Sequence, residues 1–199
     1  MHVRAPAILV AARQHGETAV VARFLTGEFG VVAGYVAGGR GRNLRPVMIP
    51  GNLVDLQLSA RSASQLPFAK VELTESRGPW LAEPLPAAAI GWVTALTASA
   101  LPEREPYPPL FSALEGVLAA ICHAPSARGW ASALVGYEVL LLRELGYGGA
   151  GERPPGEMGE VLEVMDALGP AVDHYLLADR RADVMAARNR LRELLGRIA

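Results

Sequence analysis

The chain has 199 residues, 51% of them hydrophobic and 20% charged, with a formal net charge of −1; this composition sustains a buried core and excludes disorder as the main state. No apolar run approaches the roughly 18 to 20 residues of a membrane-spanning helix, and a start interrupted by Arg4 and Pro6, then by Arg13, Gln14 and His15, does not read as a signal peptide. The one cysteine, Cys122, excludes an internal disulfide framework and makes the cytoplasm the expected compartment.

Charge is unevenly spread. Residues 1–80 carry nine basic side chains (Arg4, Arg13, Arg23, Arg40, Arg42, Arg45, Arg61, Lys70, Arg77) against five acidic ones, whereas the remainder is acidic. A basic front half on a near-neutral chain points to polyanion contact in one domain, with chance as the plain alternative.

The front half reads as strands: 6–13, 18–26, 31–37, 53–60 and 67–74 are short, rich in β-branched residues and bounded by turn signals such as His15-Gly16 and Gly38-Gly39. Five such strands in about eighty residues predict a small closed barrel of the OB type. Within it, Arg13 and Arg23 project from the wall if Leu9, Ala11 and Val21, Leu25 set the alternation, with salt bridges to Glu17 or Glu28 as the structural alternative. Between the third and fourth strands lies Gly38-Gly39-Arg40-Gly41-Arg42-Asn43-Leu44-Arg45. Glycines let the backbone approach a ligand, and guanidinium forks match phosphate oxygens and stack on bases. With Tyr35 as a stacking platform, this is chemistry suited to single-stranded nucleic acid; a solvated surface loop is the bland reading.

After the Pro-rich passage 79–86 the period becomes helical: 87–100, 108–122, 128–146, about 158–178 and 181–197. The run 102–109, with prolines at 102, 106, 108 and 109, reads as a stiff connector between two helices. In the last helix Val184, Ala187, Leu191, Leu194 and Ile198 make one apolar stripe; Arg180, Arg181, Arg188, Arg190, Arg192 and Arg197, interleaved with Asp179, Asp183 and Glu193, read as a solvated face rather than a second DNA site. The expected architecture is α+β: a five-stranded OB-type barrel over 1–80, then an α-helical domain over 81–199.

Catalytic signatures are missing. Lys70 is the one lysine, so no phosphate loop of the GxxxxGKS type exists, and His2, His15, His123 and His174 are scattered. Cys122 and His123 are adjacent on a helix and point apart, which suits a core thiol better than a metal pair. Glu103, Glu105, Glu115 and Glu138 read as ordinary helix or linker acids. No enzyme is expected.

In order along the chain, Ala7-Ile8-Leu9-Val10, Gly16-Glu17-Thr18, Phe24-Leu25-Thr26 with Gly30, and Val36-Ala37-Gly38-Gly39 with the Arg40/Arg42 turn resemble the RecO family of bacterial recombination mediators. So do Pro108-Pro109-Leu110-Phe111, the stretch Tyr137–Tyr147, and Ala187-Arg188-Asn189-Arg190-Leu191. The resemblance implies a protein of DNA repair and recombination that binds single- and double-stranded DNA and anneals complementary strands. It implies work with RecR, and often RecF, to load RecA onto DNA coated by single-strand-binding protein, and contact with that protein's acidic C-terminal tail. Arg128 and Arg143 are candidates for that contact, although helix-surface charge is the better account of each. Some members carry a zinc-binding cysteine segment after the Leu-Gly-Tyr element. Here 148–155 occupies that place without a cysteine, so no zinc and no other cofactor are expected. An RNA-binding OB protein and a protein–protein adaptor are the competing readings.

Overall fold

The computed structural model describes residues 2–62, 65–148, 152–154, 156–178 and 183–199. The architecture is mixed: five strands, then a helical region. The chain separates into two compact units, Met1–Leu81 with Leu101–Phe111, and Ala82–Ala100 with Ser112–Ala199.

In the first unit β1 (His2–His15), β2 (Ala19–Thr26), β3 (Gly30–Val36), β4 (Leu53–Ser59) and β5 (Phe68–Glu75) follow the order β1-β2-β3-β5-β4, with β4 returning to β1. Strict alternation fills the inside: Val3, Ala5, Ala7 and Leu9 on β1 meet Val20, Ala22 and Phe24 on β2, Val32 and Val36 on β3, Val54, Leu56 and Leu58 on β4, and Ala69 and Val71 on β5. These β-branched and small residues suit a pleated, half-buried surface. β1 begins four residues earlier than the turn-like Pro6 suggests. Pro6 pairs with Asp55 of β4, and the pairing with β2 starts only at Ala7, so the missing N–H falls where one flank is unclaimed.

A bulge between Leu9 and Ala11 resets β1. Leu9 stays inside, whereas Ala11 and Arg13 turn outward beside Arg23 and Val21. The expected grouping of Leu9 with Ala11 on one face is therefore corrected. The bulge is held from β4's approach, where Leu9 N–H donates to the Asn52 carbonyl at 3.0 Å and Gly51 N–H donates to the Leu9 carbonyl at 2.7 Å.

Closure rests on little. β3 and β5 share one parallel register pair, Tyr35 with Phe68, and Tyr35 N–H donates to the Pro67 carbonyl at 2.8 Å. Gly34 makes it possible, because a Cβ there would lie 2.7 Å from the Ala69 Cβ and 2.9 Å from Leu58 Cδ2.

The run expected to connect two helices does so, and it also belongs to the barrel unit. Glu103 forms a parallel bridge with Val31, Arg104 N–H donates to the Val31 carbonyl at 2.8 Å, and Arg104 adopts φ 63°. Glu105 presses its backbone onto the β2–β3 turn at Gly30, where φ is +64° and a Cβ would fall 2.0 Å from the Glu105 carbonyl oxygen. Pro102 and Pro106 suit an extended strap along a sheet edge, whereas Pro108 and Pro109 fall in the first turn of the helix that follows, where a missing N–H costs nothing.

The helical region comprises α1 (Pro84–Ala100), α2 (Pro108–His123), α3 (Ala131–Glu144), α4 (Met158–Ala171) and α5 (Asp183–Gly196). Pro170 lacks the N–H of a regular helix, and α4 passes into a wider π-type turn at Val172–Leu176. Among the described residues no helix is long and apolar enough to cross a membrane.

In the second unit a buried ionic knot ties four helices. Arg188 on α5 sends Nε and Nη2 to the two oxygens of Glu138 on α3 at 3.1 and 2.7 Å. The Trp92 indole of α1 donates to Glu138 Oε1 at 2.8 Å, and Arg188 Nη2 also donates to the Met165 carbonyl of α4. Glu138 is fully buried and Arg188 is 3% exposed. Two expectations are corrected: Glu138 is no ordinary surface acid, and Arg188 is not on a solvated face. The stripe of α5 is correspondingly centred on Arg188, Leu191 and Leu195, with Ile198 exposed. Beside the knot, Tyr137 and Thr97 share a 2.7 Å hydrogen bond, and burial pushes the Tyr137 hydroxyl pKa up.

Glu138→Gln leaves the Arg188 charge buried without a counter-charge, and the expected loss in urea unfolding is about 3–5 kcal/mol; a loss below 1 kcal/mol contradicts the knot's importance. Gly30→Ala collides with the strap backbone and is expected to cost more than about 2 kcal/mol by the same measurement, with a near-wild-type midpoint as the contrary result.

Candidate nucleic-acid interface

The segment between β3 and β4 is a wound cap rather than an open loop. Gly38 takes φ +67°, and Gly39 lies so close to Val20 that a Cβ would meet its Cγ2 at 2.9 Å. Successive turns follow, from Gly41 N–H to the Gly38 carbonyl, Leu44 N–H to the Gly41 carbonyl and Met48 N–H to the Leu44 carbonyl. Leu44, Val47 and Met48 thereby pack against the barrel core. Asn52 clamps the far end: Nδ2 donates to the carbonyls of Pro46 and Val47 at 3.0 Å each, and Oδ1 accepts the Arg77 N–H at 2.7 Å. An asparagine carries both donor and acceptor, and this fully buried one uses both.

On this frame Arg40, Arg42 and Arg45 face solvent. Arg40 is tied to the β1–β2 turn, its N–H donating to the Thr18 carbonyl at 3.0 Å and Nη1 to the Glu17 carbonyl at 2.8 Å. Arg40 and Arg45 line one cleft of about 370 Å³ with Gln14 and Met48; Arg42 lies outside that lining.

A second feature runs across the outer wall. Register pairs carry Arg13 to Val21, Val21 to Tyr35, Tyr35 to Phe68, Phe68 to Ser59 and Ser59 to His2, all in one outward row. Tyr35 is half-buried between two rings, His15 at 5.8 Å and Phe68 at 5.3 Å between centroids, both edge-to-face. His15 and Phe68 escaped the sequence reading: an aromatic that opens a strand after Pro67 reads as core, and a histidine at a hairpin reads as turn.

Electrostatics separates the basic residues of the first unit. Arg77 is fully buried against Glu75 and unavailable to any ligand. Arg23 pairs with Glu103 of the strap at 3.6 Å, not with Glu17 or Glu28. Arg4 pairs with Asp55 at 2.9 Å and Lys70 with Glu72 at 3.4 Å. Among the described residues no carboxylate pairs with Arg13, Arg40, Arg42, Arg45 or Arg61. The structure thus gathers Arg40 and Arg45 in a cleft, sets Arg13 and Tyr35 on one outer row, and binds Arg23 elsewhere.

In the second unit Arg143 and Arg153 line a cleft of about 560 Å³ whose apolar lining includes Val117, Val139 and Leu140. Arg128 is outside it and donates to the Ile198 carbonyl at 3.2 Å. Arg192 is held by Asp166 through bonds of 2.9 and 2.7 Å, and that contact lowers the Asp166 pKa. Arg180, Arg181 and Asp179, with 149–151 and 155 of the glycine-proline stretch, lie outside the described residues. Cys122 is buried and the adjacent His123 exposed, a donor pair that does not fit zinc.

A five-stranded barrel with a cationic cap, followed by helices, defines an OB-type α+β architecture. The family profiles are more particular: Recombination protein O N terminal matches residues 1–77, and Recombination protein O C terminal matches residues 84–150. The chain is 34% identical over 230 aligned positions to DNA repair protein RecO of Rhodospirillum centenum, covering 92% of this chain and 90% of that one. It is 38% identical to the proteins of the same name from Phenylobacterium zucineum and Paracoccus denitrificans, over 71% of this chain in each case and 58% and 57% of theirs. The chain belongs to the RecO family.

Proposed function

We propose that this chain is a DNA repair and recombination mediator that captures single strands on its barrel and anneals them to complementary strands, contacting duplex DNA as the product forms. The observation that carries the reading is the cluster of Arg40 and Arg45 at one cleft of a RecO-family barrel, with Arg42 on the same rigid cap. Asn52 and the turn hydrogen bonds fix the cap before any ligand arrives, so little ordering cost accompanies phosphate contact. Arg13 and Tyr35 extend the surface across the wall. Arg23, held by Glu103, contributes positive potential more than a direct contact.

The mediator consumes no nucleotide and performs no reaction of its own, in keeping with a sequence that has one lysine and no phosphate loop. It acts in the cytoplasm with RecR, and with RecF in some settings, to help RecA replace single-strand-binding protein. The Arg143–Arg153 cleft suits that protein's acidic tail: both arginines line it with Val117, Val139 and Leu140, and Glu152 is the opposing charge among its described lining residues. Zinc has no part in the helical unit, since a one-cysteine sequence lacks the thiolates of a structural site.

The test is annealing of complementary labelled oligonucleotides by purified protein without nucleotide, at two salt concentrations. Salt-sensitive acceleration is expected; no acceleration, with preferential binding of RNA or of no strand, overturns the reading. Arg42→Ala with Arg45→Ala removes two phosphate contacts without touching the Arg40 anchor, and is expected to reduce the slope of log affinity against log salt by about 1.4 for single strands. An unchanged slope on oligo-dT removes the cap from the binding surface.

A further inference from the structure

We infer that the seam where β3 meets β5 is a base-stacking platform for unpaired DNA, with Phe68 as its main contact and Tyr35 positioned beside it. This rests on the DNA-binding reading and adds the feature that distinguishes a single strand from a duplex.

Phe68 is 55% exposed, the most open of the large apolar side chains among the described residues. A phenyl group on a barrel wall normally finds fuller cover; among the described residues its aromatic neighbour is Tyr35, edge-to-face at 78°. An edge-to-face contact occupies at most one face of either ring, so with Phe68 more than half exposed a face of it is left toward solvent. Tyr35 is in turn braced on its other side by His15 at 86°, so the row is stiff across the seam.

Phe68 borders two adjoining clefts that share His2 and Ser59. One of about 650 Å³ is lined by Phe68 with Arg4, Gln57 and Lys70; the next, of about 460 Å³, is lined by Phe68 with Ser59, Arg61 and Gln65. Among the described residues no carboxylate lines either cleft. Arg4 and Lys70 do hold surface partners in Asp55 and Glu72, but such exposed pairs are weak and give way to a phosphate. An open aromatic face beside cationic clefts that also carry amide and hydroxyl groups matches a polyanion with flat, neutral rings. A duplex keeps its base faces stacked inside, so only an unpaired base can use the ring. The outward row continues from Phe68 through Tyr35 and Val21 to Arg13, three strand spacings or about 14 Å away, which gives the strand a route across the sheet.

The experiment compares wild type, Phe68→Ala, Phe68→Leu and Phe68→Trp by fluorescence anisotropy on oligo-dT, on an abasic strand of equal length and on a duplex. Phe68→Ala and Phe68→Leu are expected to weaken oligo-dT binding about tenfold, leaving abasic-strand and duplex affinity and the salt slope within about twofold of wild type. Phe68→Trp, which keeps an aromatic face, retains oligo-dT affinity. Phe68→Leu keeps an apolar group at the seam, so its loss of binding at an unchanged urea midpoint reports stacking rather than barrel closure. If Phe68→Leu binds oligo-dT as wild type does, or loses abasic strands equally, the platform is wrong while the arginine cap stands. If wild type binds no strand at all, the DNA-binding reading falls and takes the platform with it.

Discussion

Everything on the barrel's outer wall depends on how narrowly the ring is drawn shut. Two strands distant in sequence meet at a single register pair, and a residue without a Cβ sits immediately beside it. Gly34 lets Leu58 and Ala69 occupy the space a side chain would need. The next residue, Tyr35, is thereby forced outward against Phe68. Closure of the core and display of the aromatic row are one geometrical event, because adjacent residues of a strand point to opposite faces.

The helical unit solves a different problem. Its core contains a carboxylate and a guanidinium that satisfy each other, an indole and a backbone carbonyl. Such a pair adds little net stability relative to apolar residues of equal volume, but it penalises any packing that separates the partners. A helix rich in small side chains, as α1 is, slides along its neighbours at little cost. The Arg188–Glu138 fork fixes one register among several.

The strands and helices were legible because their periodicities differ and because glycine and proline punctuate them. Residues 53–59 alternate as expected, and each predicted helix has a counterpart within a few residues. The cationic cap was also legible, since three arginines spaced by glycine form a local pattern. What escaped depends on partners far away in the chain. Arg188 and Glu138 lie fifty residues apart, and nothing local separates them from surface charges. Glu103 seemed idle because Arg23 is reached only through the fold. Phe68 carries no local mark that separates it from the aromatics that strands usually bury. Asn52, which bonds three backbone groups, sits in a turn where asparagine is commonplace.

The strap at Leu101–Phe111 has a consequence for synthesis. The barrel unit is discontinuous: α1 is inserted between its five strands and the piece that finishes it. A growing chain that has released all five strands still lacks the edge partner of Val31 and the carboxylate beside Arg23. At ribosomal rates of about 5–20 residues per second, the barrel waits a few seconds for that piece while α1, one of the most apolar helices, is already out. The chain's first domain is complete only after part of its second has been made.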